Sequence, residues 1–559
     1  MKHSMTRLAL TLAIALAAQA AQASPPLPLR HDFAQACQAL WGGESARSRW
    51  VKDDGQGGLA YAPLNGNGDH VMDFSSAGYM GGGVALPIAP VKATVQASGN
   101  AASDLANIQA AIAKVAALPA VNGVRGAVLL APGTFLLSSP IQLASDGVVL
   151  RGSGSGAGGT VLKAQGDGHA MLSLGASAGS LTPQGSTVAI SDSYVPSGSS
   201  VIHVANASGF QPGDTVIVRR KASAEWIHFM EMDQLFRDGK PQTWINAGNS
   251  SEYWLRAVAA VSGNQLTLDI PLSDSFDSGY LGPNGGSVQK YQASGITSQI
   301  GAEHLALEGL PRGSGADYGV ANLDNLADGW LNDIQAHNFT SGVVVGKQAR
   351  RLTLEAVALT HDHNNIDCKG AKEFEFSIAG SQVLVDRSAS TGSKKSFYYA
   401  TQAQAGGPNV LLNFSGRAEA CGNIEPHQRW ATGLLVDNAD VSGAIALGNR
   451  GADGSGHGWS MGWGVVWNAK ADQLDVAAPP GASNWAIGSS GALSPDMPDA
   501  QGVPAPPQLG AVDSANVRVG PDSLYLMQLC QRLGPQAVKN IGYAASPKTA
   551  NAHRPLLSR

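Results

Sequence analysis

Five stretches carry the residue types that could do chemistry. In "IEPHQRWATG", His427 and Arg429 alternate and so share a face if the chain is extended. That pairs a group that titrates near neutrality with one that stays charged and grips carboxylates bidentately. Glu425 and Trp430 flank them. In "STGSKKSFYY", Lys394 and Lys395 are adjacent; each lowers the pKa of the other, and a lysine with a lowered pKa can serve as a base. Tyr398 and Tyr399 follow as rings that could stack on a substrate. In "NRGADGSGHGWSMGWG", Arg450, Asp453, His457 and Trp459 gather around small residues. In "THDHNNIDC", His361 and His363 point together on a strand, and Asp362, Asn365 and Asp367 supply oxygens of the kind that hold Ca²⁺. Last come Asp324, Asp328 and Asp333, whose commonest duties are turns and helix caps.

The elements that must position these residues repeat. From Trp330 to Asn468, runs of alternating apolar residues ("GVVVG", "RRLTLEAVALT", "SQVLVD", "PNVLLNFSG", "TGLLVDNADVSGAIALG") are each bounded by Gly, Asn, Asp or Ser. Leu305, Leu331, Leu352, Val383, Val410 and Leu434 recur at roughly 20–30 residues, the range in which self-similarity signals a solenoid. No single coil can bury its own apolar face, so stacked coils are needed. The expected fold is all-β, a right-handed parallel β-helix. An antiparallel sandwich is the competitor, but it expects tight Asn-Gly or Asp-Gly hairpins and the loops here are long and uneven.

The rest of the chain divides around this solenoid. Residues 1–23 have Lys2 and Arg7 ahead of an apolar run and two Ala-Gln-Ala sites, which predicts a signal peptide and a secreted or periplasmic protein. Residues 24–95 form an irregular segment packed on the solenoid. Residues 96–181 hold an amphipathic helix behind a Ser103 or Asp104 cap, with Ile108, Ala111, Ile112 and Val115 on one face, followed by the first coils. Between 182 and 295 the rhythm breaks into antiparallel strands around Pro-Gly-Asp and Gly-Asn turns, an inserted β subdomain whose Trp226, Phe229, Trp244 and Trp254 are mostly its core. Residues 296–490 are the main coils, and 491–559 a Pro-rich tail with a short helix.

At "NIQAAI", "LAPGTFLLSSPIQL" and "GVVLRGSG" the chain resembles the opening of the pectate-lyase-like superfamily of right-handed parallel β-helices, including its polygalacturonase-related branch. The resemblance implies a capping helix on the coil and an enzyme of acidic polysaccharides that recruits calcium or a lysine and arginine set. Gly456-His457-Gly458 is similar to the polygalacturonase histidine motif, whereas that branch's Asn-Thr-Asp and Asp-Asp motifs are missing and "NNID" at 364–367 lies too far upstream.

Bulk properties exclude other classes. The 559 residues carry 14% charged side chains, 69 glycines and a formal net charge of −5, which suits a loop-rich β protein and gives no basic footprint for nucleic acid. No later apolar run approaches the ~20 residues of a membrane span. Four cysteines allow the pairs Cys37–Cys530 and Cys368–Cys421, or isolated thiols in the coil.

Three readings of function follow. In the first, a polysaccharide lyase uses His427 or a lysine as base, with Arg429, Arg450, Lys394 and Lys395 neutralising a uronate, His457 alongside, and Trp430, Trp459, Tyr398, Tyr399, His361 and His363 contacting sugar. The second is a glycoside hydrolase using Asp362 or Asp367 with His457. The third is a non-catalytic carbohydrate-binding solenoid. No cofactor is required by the sequence; Ca²⁺ at Asp362, Asn365 and Asp367 is the ion it could accommodate.

Overall fold

Alternating apolar runs separated by single turn residues wind into successive coils. The computed structural model describes residues 33–44, 46–248, 251–283, 285–310, 315–362, 373–392, 395–419, 421–497, 501–503 and 507–544, with backbone alone at positions 34, 35, 251, 395, 396 and 421. The predicted signal peptide and the Cys368–Cys421 pair lie outside these residues or side chains. The chain is a right-handed parallel β-helix with three parallel sheets along its length.

The first sheet shows how the coil is held. Leu331, Leu354, Val385, Leu411, Val436 and Val466 pair in register on consecutive coils, and all are fully buried. Each such side chain contributes about 1.5–3 kcal/mol on burial. The corner between the first and second sheets is turned by one residue per coil. His304, Asp333, Ala356, Arg387, Asn413, Asn438 and Asn468 occupy this corner with φ between 47° and 58°. Asn and Asp tolerate that left-handed conformation better than other side chains, so Leu326–His337 and Arg350–His361 bend from one sheet into the next without a loop.

Both faces of the first sheet are covered. Its outer residues Leu384, Val410, Leu435, Val465 and Trp485 pack under Val71, Met72 and Phe74 of the N-terminal segment and under the C-terminal helix α2 (Leu524–Leu533). The disulfide Cys37–Cys530, with Cα atoms 5.9 Å apart, ties these two covers together. Asp437 of the coil accepts from Ser523 Oγ at 2.7 Å and Tyr525 N at 2.9 Å, fixing the start of that helix.

Helix α1 (Ala101–Ala116) closes the coil with Ile108, Ile112 and Val115 buried against Val95, Val128, Leu130 and Phe135. Its N-cap is Asn100, which accepts from Ser103 N at 3.1 Å, rather than Ser103 or Asp104. Asp104 instead takes Ser98 N at 2.6 Å and Leu136 N at 2.9 Å, pinning the helix to the coil.

The insertion forms a six-stranded antiparallel sheet in the order Ser180–Ala189, Gly286–Ser294, Thr215–Lys221, Ser251–Ser262, Gln265–Leu268, Val201–His203. Trp226, Trp244 and Trp254 are its core, joined by Trp430 and Trp459 of the coil. Polar bonds fix it to the solenoid. Arg256 Nη2 donates to Gly407 O at 3.0 Å, Ser273 bonds Thr432 at 2.8 Å, and Asp274 accepts the indoles of Trp430 (2.7 Å) and Trp463 (2.8 Å). A cleft remains between the insertion and the corner joining the third sheet to the first.

Candidate functional site

Third-sheet strands Phe374–Ile378, Lys395–Thr401 and Cys421–Ile424 lie on consecutive coils, and their ends carry the chemistry. Phe374 and Phe397 pair in register, with rings stacked 4.8 Å apart on the outer face. The chain then leaves Ile424 through Glu425 to His427, whose amide donates to Thr401 O at 2.8 Å. The His427 ring lies 5.1 Å from the Phe374 ring and 4.8 Å from the His457 ring, centroid to centroid.

Gln402 sets the state of His427. Gln402 Nε2 donates to Ser377 Oγ at 2.8 Å, which leaves its Oε1 as the acceptor from His427 Nδ1 at 2.9 Å. This hydrogen-bond pattern assigns a proton to Nδ1, so Nε2 is the ring nitrogen that can exchange one. An imidazole oriented by a neutral amide in this way has the geometry of a general base.

The cations around it divide into two kinds. Arg450 Nε pairs with Glu425 at 3.0 Å, Nη1 donates to His427 O at 2.9 Å, and the guanidinium lies 5.5 Å from the Phe397 ring. Its charge is offset, and it holds the His427 loop in place. Arg429 bonds neutral acceptors only: Trp244 O at 2.6 Å, Ser455 Oγ at 2.7 Å, Ser455 O at 3.3 Å and the side-chain oxygen of Gln428. It lies in the left-handed region at φ 52°, where Gln404 N donates to its carbonyl and its own amide donates to His457 O, both at 2.9 Å. Its guanidinium borders an open polar cavity of about 490 Å³, walled by Gln242, Thr243, Asn246 and Gln404.

His457 is kept neutral. Burial, with Arg450, His427 and Arg429 nearby, pulls its pKa down to about 3. Gly454 makes room for it at φ 58°: a Cβ there would sit 2.1 Å from His457 Nε2. Two coils beyond Glu425, burial pushes the Asp475 carboxyl up to about 7, and the charge of Glu425 adds to this.

The structure brings His427, Arg429, Arg450 and His457 into one neighbourhood. The sequence did not reveal Phe374, Phe397 or Gln402. Trp430, Trp459, Tyr398 and Tyr399 were expected to meet substrate, and the structure corrects this, since all four are buried in the core. Trp430 and Trp459 spend their indole N–H groups on Asp274 and on Met230 O. The register slips between Phe397 and Tyr399, a bulge that turns both tyrosines inward. His361 is also internal, bonded at 2.7 Å to Glu375, which accepts from Ser390 as well.

The expected oxygen row is partly visible. Asp362 is engaged by His337 at 3.0 Å and Asn338 at 3.1 Å, while His363, Asn365 and Asp367 lie outside the described residues. Among the described residues no group of three or more His, Cys, Asp or Glu side chains is placed to hold a metal. Lys395 opens its strand two residues before Phe397; its side chain, and Lys394 altogether, lie outside the described set. Asp328 pairs with Arg351 at 2.6 Å, Asp333 bridges Ser155 and His304 at 2.6 and 2.8 Å, and Asp324 caps backbone amides, so all three are structural.

No family model matches the sequence, and no curated protein matches it. Among solved structures, ORF18 of Geobacillus virus E2 aligns at 11% identity and TM-score 0.36 over 76% of this chain and 59% of its own. The Gp54 tailspike of Acinetobacter baumannii bacteriophage AP22, solved in complex with a capsular saccharide, aligns at 12% and 0.27 over 69% and 66%. The A-module of the Azotobacter vinelandii mannuronan C-5 epimerase AlgE6 aligns at 12% and 0.31 over 70% and 71%. The chain therefore spans less than two thirds of the length of the first two. No helix among the described residues is long and apolar enough to cross a membrane.

Proposed function

We propose that this chain acts on an acidic, uronate-containing polysaccharide and cleaves it by β-elimination. The observation that carries the reading is the Gln402–His427 hydrogen bond, which orients the imidazole beside the stacked Phe374 and Phe397 rings. In the reaction, Nε2 of His427 takes the proton at C5 of a uronate. The electron pair spreads into the carboxylate as an enolate, whose charge Arg429 balances, and then expels the C4–O oxygen. That oxygen takes a proton, from the imidazolium or from water, and a C4–C5 double bond remains. Preorganised positive charge at the developing anion is the largest expected term in such a site. Phe374, half-buried and facing outward, offers a ring to a sugar.

A hydrolytic reading, with Asp475 held at about 7 by burial as the acid, requires its fully buried carboxyl to be uncovered when substrate binds. The products separate the two. Purified protein is offered acidic and neutral polysaccharides, with ultraviolet absorbance near ~235 nm and reducing ends read together. New ends with rising absorbance establish elimination, with His427→Gln and Arg429→Gln silencing it. New ends without absorbance overturn elimination and support hydrolysis.

A further inference from the structure

A second group of cations stands in the same cleft, three coils away from Arg429. Arg350 pairs in register with Ser381, Ser381 Oγ donates to Gly407 O on the next coil at 3.5 Å, and Gly406 beside it pairs with Thr432 on the one after, three residues past Arg429. At about 4.8 Å per coil, that is roughly 14 Å along the solenoid. Lys347 and Arg350 line a pocket there with Gln348, Ser381, Gln382 and Gln404 on the coil side and Tyr253 and Leu255 on the insertion side. Gln404 borders this pocket and the Arg429 cavity alike, so the two lie side by side. The insertion walls both, with residues 241–246 at the Arg429 cavity and Tyr253 and Leu255 at the Lys347 pocket.

The charges at this end are not consumed by the protein. Lys347 Nζ lies 5.0 Å from the Tyr253 ring, and Arg350 Nη1 donates to Tyr291 Oη at 2.8 Å. Neither forms an ion pair among the described residues. Arg219 stands opposite Tyr253 in the antiparallel sheet and so shares its face. Asp324 and Glu252 are the acidic neighbours: Oδ1 of Asp324 is taken up by the amides of Asn325 (2.9 Å) and Gln348 (3.2 Å), and the buried Glu252 accepts from Thr432 Oγ1 at 2.7 Å. Lys347 and Arg350 on the pocket wall, with Arg219 on the adjoining sheet face, therefore outnumber two occupied carboxylates, an arrangement that attracts extended anions.

We propose that Lys347 and Arg350 form a remote subsite for the carboxylates of an anionic polysaccharide, which lies along the solenoid axis in the cleft and reaches Arg429 three coils away. The subsite rests on the reading that this cleft handles a uronate chain, and it deepens that reading by giving the polymer a direction and a minimum length. An isolated uronate engages one end; only an oligomer that passes three coils engages both, and linking the two contacts raises the effective affinity.

The test measures binding separately from cleavage. The full chain and its Lys347→Gln and Lys347→Gln/Arg350→Gln variants are titrated calorimetrically with alginate and polygalacturonate oligomers, from a disaccharide to one spanning three coils, at low and high salt. The expected result is affinity that climbs with length and falls with salt in the parent. In the double variant the long oligomer loses roughly tenfold or more, as loss of hydrogen bonds to charged groups implies. Lys347→Gln alters an exposed side chain and shows part of the loss without risk to folding. Length dependence that persists in both variants overturns the subsite and leaves the elimination reading intact. Length-dependent binding with no cleavage product supports the subsite and overturns elimination. Absence of binding by the parent overturns both.

Discussion

His457 meets His427 edge to face with ring centroids 4.8 Å apart, so a proton on one ring disfavours a proton on the other. Burial first, and then the charges of Arg450, His427 and Arg429, draw the His457 pKa down to about 3. The sign of the linkage follows: below about 6.5 the unfolded chain binds a proton at this residue and the folded chain does not. Stability therefore falls on acidification from about 6.5 towards 3. His457→Gln is expected to flatten that part of the pH dependence in urea unfolding, and the parent's His457 resonance should not titrate between about pH 5 and 8. A parent resonance with a midpoint near 6.5 would refute the assignment.

The two arginines should fail in different ways. Arg450→Gln strands Glu425, whose side chain is only 9% exposed, and removes the donor to His427 O. A loss of about 3 kcal/mol in denaturant stability is expected, with partial recovery when Glu425→Gln is added. Arg429→Gln breaks bonds to neutral acceptors only, so stability should drop by about 1 kcal/mol while binding of anionic oligomers collapses. Equal stability losses in the two variants would remove the distinction between a loop-holding and a substrate-facing arginine.

The division between legible and hidden features has a physical cause. The coil was readable because each turn repeats an apolar pattern, and the corner residues Asn413, Asn438 and Asn468 announce themselves by type. His427 and Arg429 stood out because a group that titrates near neutrality alternates there with one that stays charged. Tyr398 and Tyr399 were misjudged because a one-residue bulge flips a strand's facing, and no local sequence feature announced it. Trp430 was misjudged because its partner, Asp274, arrives from the insertion, 156 residues earlier. Gln402 was invisible for a similar reason: its importance lies in Ser377 and His427, each on a neighbouring coil.

The Cys37–Cys530 bond closes 493 residues of separation and joins the two segments that cover the first sheet. Cross-linking so distant a pair restricts the unfolded chain strongly, and Cys37→Ser/Cys530→Ser should lower stability by about 4 kcal/mol. Proteolysis under native conditions should then begin beside Cys37, because the later part of the N-terminal segment keeps its own anchors: Phe74 N bonds Gln528 at 2.9 Å, Arg532 reaches Ser75 at 2.7 Å, Gln382 donates to Ser76 O at 3.0 Å and Tyr525 Oη to Ala77 O at 2.8 Å. Unchanged unfolding midpoints, with and without reductant, would show that packing alone secures the covers.

Ala356 is the weak point of the corner column. It adopts φ 53° in line with Asp333 and Arg387, but has neither the flexibility of glycine nor a polar group to bond its own backbone. An alanine in this region costs roughly 1–2 kcal/mol relative to its preferred conformations. Asparagine tolerates it better, and the site is only half-buried, so a longer polar side chain can turn outward. Ala356→Asn should therefore raise stability by about 0.5–1 kcal/mol, read as a shift of the urea midpoint at constant slope. A lower midpoint would mean that the side chain meets a neighbour on the adjacent coil. The control is Asn413→Ala, at the corresponding corner position, which should fall by a similar or larger amount because it also loses the 2.7 Å bond from its amide to Tyr543 Oη.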